Sequence, residues 1–311
     1  MGKLINGQWS KQSIVTSGEK GEYARLVRTF RDEISQANDK YLPESNRYHL
    51  YVSYACPWAH RTLIYRELKN LTKHISVSVV HPDMLENGWV FDNTFPEATV
   101  DHLFDAKFLY ENYQRADKEV TTSVTVPVLW DKKTNTIVNN ESSEIIRMFN
   151  SSFNELTGNI DDYYPMELRE EINRFNELIY EPVNNGVYKT GFAKTQDVYD
   201  LAVHELFSSL DYLDNHLEGK KFLVGDRLTE ADIRLIPTLL RFDLVYVTHF
   251  KCNLRRIIDY KNLSRYTREL YDIPAIKNTT NFEHIKQHYY YSHEMINPYR
   301  IIPSGPKDIF A

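Results

Sequence analysis

Residues 51–68 read YVSYACPWAHRTLIYREL, and this stretch decides the fold of the first half of the chain. The apolar run YHLYVSY at 48–54 predicts a buried strand. Pro57 follows closely, and proline is accepted in the first turn of a helix, so we predict a helix from Pro57 to Asn70. Cys56 therefore lies between a strand and a helix, as the N-cap or the residue beside it.

The position of Cys56 favours a reactive thiol. Unpaired backbone N–H groups and the positive end of the helix dipole stabilise a thiolate, which is the nucleophilic form of cysteine. A buried structural cysteine is the alternative. The tetrad Cys-Pro-Trp-Ala has no second thiol one turn on, so a disulfide at Cys56 needs an external thiol to resolve it. We predict glutathione as that thiol and a structural role for Cys252.

The composition is typical of a folded protein from a reducing compartment. The chain has 311 residues, 42% hydrophobic and 26% charged, which is enough for two domains with a sizeable core. Its net charge of −6 argues against a nucleic-acid surface. Two distant cysteines form no disulfide framework, and we find no long apolar run and no leader. We expect a cytoplasmic protein that neither binds nucleic acid nor spans a membrane.

The order of predicted elements indicates an α/β thioredoxin-like N-terminal domain followed by an all-α C-terminal domain. A β-branched strand at 75–81 follows the first helix, and this crossover implies a parallel pair. After an unusually long connection, two strands at 124–131 and 135–139 precede a helix at 141–150. The order β-α-β and then β-β-α suggests a thioredoxin-like sheet.

From residue 165 onward the chain has helical periodicity, with a capping signal in which Asp232 follows Thr229 by three residues. We predict four segments: an N-terminal extension at 1–46 with a helix around Tyr23–Gln36, a thioredoxin-like glutathione-binding domain at 47–152, an all-helical domain at 165–295, and a C-terminal tail at 296–311.

Two further stretches suit a glutathione site. In a thioredoxin-like fold the Val126–Pro127 bond is expected in cis, which turns the backbone of Val126 outward to pair with a peptide ligand. An ordinary edge-strand proline is the alternative. Glu141 and Ser142 begin a helix whose N–H groups suit a carboxylate, and Glu141 offers a counter-charge to an ammonium group. Taken alone, such a pair is most often only a helix cap.

Histidines near the C-terminus raise the question of a metal site. His284 and His288 are four residues apart and His293 follows, a spacing that holds zinc in other proteins. Only Glu294 joins them at ligand spacing, so we expect packing or solvent-facing histidines and no metal. His60, one turn after Cys56, either tunes the thiol or faces the core.

Several motifs together resemble a known family, the glutathionyl-hydroquinone reductases, which are the Xi class of glutathione transferases. The similarity extends from residue 47 to about residue 306. CPWAH and NNGVYKTGFA are the most telling motifs, since the capping pattern in LTEADIRL recurs across glutathione transferases. The motifs are CPWAHRTLI, NGWVF, VTVPVLWD, IVNNESSEIIRMFN, NNGVYKTGFA, LTEADIRL and INPYRIIPSGP.

The resemblance implies reduction of S-glutathionyl-hydroquinones to hydroquinones, with Cys56 held as a mixed disulfide that a second glutathione resolves. It also implies that Tyr188 and Tyr289 line the pocket for the aromatic quinone or hydroquinone conjugate, although tyrosine commonly only packs. By the same likeness Trp89 lies over glutathione. Trp58, two residues after Cys56, is near enough to shape the same wall. The family further implies a homodimer.

One position departs from the family pattern. Where relatives often have arginine before the VTVPVL strand, this chain has Ser123, which offers only a neutral hydrogen bond to a carboxylate. We expect weaker glutathione binding or a substitute cation such as Lys118. Two other functions stay open: an omega-type thiol transferase or dehydroascorbate reductase, and a binding protein without catalytic activity.

Overall fold

The computed structural model describes residues 2–11, 16–17, 23–24 and 29–306. The described residues form two compact units. The first contains 2–11, 16, 29–161 and 279–288, and the second contains 17, 23–24, 162–278 and 289–306. The four segments drawn from the sequence remain a prediction.

The strands lie mainly in the first unit, and they are numbered in the order in which they occur along the chain. They are β1 (Lys3–Ile5), β2 (Gln8–Ser10), β3 (Thr16–Ser17), β4 (Tyr23–Ala24), β5 (Tyr48–Val52), β6 (Ser76–Val79), β7 (Thr122–Ser123), β8 (Val128–Asp131) and β9 (Thr136–Asn139).

The main sheet has the order β6-β5-β8-β9. β5 runs parallel to β6 and antiparallel to β8, and β8 and β9 are antiparallel. All five residues of β5 are buried, so both faces of this central strand are covered. The predicted strand–helix–strand unit and the strand pair after it are therefore confirmed.

Twelve α-helices are described. They are α1 (Pro57–Leu68), α2 (Leu109–Ala116), α3 (Ser142–Ser151), α4 (Asn154–Thr157), α5 (Arg169–Ile179), α6 (Gly186–Gly191), α7 (Gln196–His216), α8 (Glu230–Arg241), α9 (Val247–His249), α10 (Lys261–Tyr271), α11 (Pro274–Lys277) and α12 (Phe282–Ser292). None of the helices in the described part of the chain is long and apolar enough to cross a membrane.

The predicted helix around Tyr23–Gln36 is wrong wherever the structure describes it. Tyr23 and Ala24 form β4, residues 29–36 contain no helix, and 25–28 lie outside the described residues. Arg31 instead forms an isolated antiparallel bridge with Asn139 at the edge of the main sheet. Backbone pairing with that sheet outweighs the weak local helix propensity of the stretch.

The second unit is helical. α6 packs on α7, α5 packs on α8, and α10 contacts both α7 and α8. Two π-helical turns follow α5 and α8, at Tyr180–Asn184 and Phe242–Tyr246. α8 begins with the predicted capping box. The Thr229 side chain accepts from the backbone N–H of Asp232, and the Asp232 side chain accepts from the backbone N–H of Thr229.

Candidate active site

Cys56 lies where the sequence predicted, as the N-cap of α1. Its backbone is extended and its side chain is partly exposed. The thiol donates a hydrogen bond to the backbone carbonyl of Val126, with Sγ and O 3.6 Å apart. The loop before β8 therefore reaches the sulfur at the mouth of the helix, where backbone N–H groups have no intrahelical partner.

The Val126–Pro127 bond is cis, as predicted. A second tie holds this loop: the Tyr113 hydroxyl donates to the carbonyl of Thr125 at 2.8 Å and accepts from the Asn140 amide at 3.2 Å. Tyr113 thus links Thr125, which precedes Val126, to Asn140, which precedes Glu141. Tyr113 was not predicted, because nothing in the α2 sequence LYENYQRA distinguishes it from the neighbouring Tyr110.

Glu141 is the N-cap of α3. Its carboxylate accepts from the backbone N–H of Ser143 at 3.1 Å and from the Ser143 hydroxyl at 3.0 Å. Ser142 is buried beside it. The carboxylate therefore serves the helix as a cap, and it remains partly exposed, so it keeps acceptor capacity for a ligand cation.

Both predicted tryptophans are nearly buried in the first unit. The guanidinium of Arg61 lies over the Trp58 ring, 4.5 Å from its centroid. Trp89 stacks on His288 with ring centroids 4.8 Å apart and planes inclined by 22°. Aromatic and cationic neighbours thus fix both indoles.

In the second unit three phenols form a chain. The hydroxyls of Tyr188 and Tyr289 are 2.5 Å apart, and those of Tyr289 and Tyr246 are 3.0 Å apart. Burial, followed by the neighbouring Tyr289, raises the pKa of Tyr246 well above its usual value. Tyr290, in contrast, donates to the carbonyl of Leu244. Tyr246 is a candidate that the sequence did not reveal.

The other candidates have structural partners. Cys252 is fully buried, and burial raises the pKa of its thiol, as suits a structural cysteine. His284 and His288 bond backbone carbonyls, and the described residues include no group of three His, Cys, Asp or Glu placed to hold a metal ion. His60 is buried and contacts the Thr279 hydroxyl at 3.1 Å, so it faces the core.

Ser123 belongs to β7, where it pairs with Lys3 of β1 and is buried. Lys118 is exposed in the turn before this strand. Weaker glutathione binding, or a substitute cation such as Lys118, remains a prediction.

Comparison with known proteins decides the family. A model described as the N-terminal domain of glutathione S-transferase matches residues 55–152, and one described as the C-terminal domain matches residues 196–269. Glutathionyl-hydroquinone reductase YqjG of Escherichia coli K12 is 52% identical over 313 residues, which cover 98% of this chain and 95% of that protein. The chain belongs to the glutathionyl-hydroquinone reductases, the Xi class of glutathione transferases.

Two solved structures match nearly the whole chain. The glutathione-S-transferase Xi from Phanerochaete chrysosporium has a TM-score of 0.93 at 53% identity, covering 95% of this chain and 96% of that chain. The glutathione-bound structure of Escherichia coli YqjG has a TM-score of 0.91 at 50% identity, covering 100% of this chain and 97% of that chain. The predicted fold class, a thioredoxin-like α/β domain followed by an all-α domain, is confirmed.

The structure brings Cys56 together with Val126, and Tyr188 together with Tyr289. Glu141 and Ser142 lie together at the start of α3, while Trp58 and Trp89 each contact a different side chain. The roles of these residues in catalysis and binding remain predictions.

Proposed function

We propose that the protein reduces S-glutathionyl-hydroquinones to hydroquinones with glutathione as the reductant. The observation that carries the proposal is the Cys56 thiol at the N-cap of α1, 3.6 Å from the Val126 carbonyl, in a chain of this family. No other cysteine of the chain suits the task, because Cys252 is buried.

In the first step the Cys56 thiolate attacks the sulfur of the conjugate. A sulfur–sulfur bond forms, the carbon–sulfur bond to the ring breaks, and its electron pair goes to the ring carbon, which takes up a proton to give the hydroquinone. In the second step the thiolate of another glutathione attacks the glutathione sulfur of the mixed disulfide. Oxidised glutathione leaves and Cys56 is regenerated, so one conjugate and one glutathione give one hydroquinone and one disulfide.

The first unit supplies the groups for glutathione. Backbone N–H and C=O groups around Val126 suit a peptide that adds as a strand. The start of α3 offers the backbone N–H of Ser142 to a carboxylate, and the partly exposed Glu141 carboxylate suits an ammonium group. The indoles of Trp58 and Trp89 provide apolar walls.

The hydroxyl chain of Tyr188, Tyr289 and Tyr246 supplies the proton chemistry. A carbon leaving group is poor unless the ring carbon is protonated, and phenol donors stabilise the ketone-like tautomer that leaves more readily. A raised pKa keeps the Tyr246 phenol protonated, so its hydroxyl continues to donate to the chain.

We also propose that the protein acts as a homodimer in the cytoplasm. The motif similarity supports the dimer, and two free cysteines in a chain of this length suit a reducing compartment.

Mass spectrometry after incubation with a glutathionyl-hydroquinone tests the reaction. One glutathione should be attached to Cys56, with hydroquinone released, and Cys56→Ser should show neither. Cys252→Ser is the matched control and should retain both. Hydroquinone release by Cys56→Ser would refute the mechanism.

An omega-type thiol transferase is the second candidate, since it uses the same thiol and glutathione site. Rates with a glutathionyl-hydroquinone and with a simple glutathione mixed disulfide separate the two. Turnover of only the mixed disulfide would favour the omega-type activity.

A further inference from the structure

The segment at residues 82–96, which carries Trp89, is held at both ends by one face of α12. The His284 Nε2 contacts the carbonyl of Pro96 at 2.6 Å, and the His288 Nδ1 contacts the carbonyl of Pro82 at 2.8 Å. These contacts join residues 188 and 206 positions apart in the chain.

The same face makes a third contact with the segment. The side-chain amide of Gln287 donates to the carboxylate of Asp83 at 2.8 Å. Residues 284, 287 and 288 are spaced three and four apart, which places them on one side of the helix. Two of the three histidines that suggested a metal site in the sequence, His284 and His288, therefore bind a segment of backbone.

His288 also contacts the indole that the segment carries. Its ring stacks on Trp89 at 4.8 Å between centroids, and its bond to the Pro82 carbonyl fixes the plane of that ring. Rotation of the imidazole would break this bond and the stacked contact together. The main chain of Trp89 is fixed separately, because its carbonyl accepts from the N–H of Leu109 at 3.0 Å. The stacked His288 ring therefore limits how the indole side chain can turn.

Thr279, which precedes α12, contacts α1, the helix that begins after Cys56. The Thr279 hydroxyl contacts Nε2 of His60 at 3.1 Å, and the backbone N–H of His60 bonds the carbonyl of Cys56 at 3.0 Å. Residues 279–288 thus contact both α1 and the Trp89 segment within the first unit.

We propose that His288 is a positioning residue of the glutathione site, which holds the Trp89 indole in the orientation that glutathione requires. The inference rests on the proposed role of Trp89 in that site. It adds that a residue from the C-terminal part of the chain sets glutathione affinity through the indole.

Glutathione binding to the purified full chain tests the inference by titration calorimetry. His288→Ala should raise the glutathione Kd about three- to tenfold, the range expected for a lost aromatic stacking contact. The kcat at saturating glutathione should change less than about twofold, because the contact orients a binding residue. His288→Phe keeps an aromatic ring against the indole and should return the Kd most of the way to that of the wild type.

A double-mutant cycle shows whether His288 acts through Trp89. In a Trp89→Ala background, His288→Ala should have no further effect on the Kd. An equal effect of His288→Ala in both backgrounds would overturn the inference. Glu283→Ala, an exposed position on the same helix, is the matched control and should bind glutathione like the wild type.

A measurement without glutathione separates this inference from the proposed function. The near-UV circular dichroism of Trp89, taken as the difference between each protein and its Trp89→Phe form, should change in His288→Ala. An unchanged Trp89 signal would overturn the positioning role. A changed signal together with an unchanged Kd in Trp89→Ala would refute the binding role of Trp89 instead. If the alanine variant does not fold, His288→Leu, which fills the space without a ring, provides both readouts.

Discussion

His49 makes the stability of the first unit depend on pH. The side chain has no exposed surface, and its two ring nitrogens contact the hydroxyls of Ser76 and Ser78 at 2.7 and 2.9 Å. Burial, with a smaller contribution from His102, lowers the pKa of His49 from 6.5 to about 3. The folded chain therefore keeps this imidazole neutral through the whole mildly acidic range.

The sign and size of the effect follow from proton binding. Below the unfolded pKa of 6.5 the unfolded chain takes up a proton at His49 that the folded chain does not. The stabilisation is complete above pH 6.5 and declines as the pH falls from 6.5 toward 3. At pH 5 this single group should reduce the free energy of unfolding by about 2 kcal/mol, at about 1.4 kcal/mol for each pH unit.

Urea unfolding at pH 7 and pH 5 measures the loss, with His49→Gln as the comparison. Gln keeps hydrogen-bonding capacity but takes up no proton in this pH range. The other buried histidines titrate in both proteins, so their contributions to the change in stability cancel in the comparison. The wild type should lose about 2 kcal/mol more than His49→Gln between the two pH values. Equal losses in the two proteins, or an NMR titration of the His49 ring centred near pH 6, would refute this reasoning.

Two further predictions concern the site. Tyr246→Phe removes one hydroxyl from the phenol chain and should lower kcat about three- to tenfold with little change in the glutathione KM, the cost of one hydrogen bond. Tyr290→Phe is the control, and equal kcat values for the two variants would contradict a role for Tyr246. Ser123→Arg should lower the glutathione KM about tenfold by adding a charged bond to a carboxylate. An unchanged or higher KM in a variant with the wild-type melting temperature counts against that prediction.

Local signals in the sequence predicted the elements that local physics controls. The apolar run before Cys56 and the proline after it are enough to predict a strand, an N-cap and a helix, because each depends on residues within a few positions. The capping box of α8 was predictable from Thr229 and Asp232 for the same reason. The helix expected around Tyr23–Gln36 failed because Arg31 pairs with a strand more than a hundred positions away.

The sequence by itself therefore determined the thioredoxin-like unit, the position of the thiol at a helix start and the helical character of the second half. Only the tertiary structure decided which side chains meet: Tyr246 with Tyr289, Tyr113 with Asn140, and His288 with Trp89. These pairs are 43, 27 and about 200 residues apart in the chain. No periodic pattern reports such pairs, since they form only when hydrophobic burial packs distant elements together.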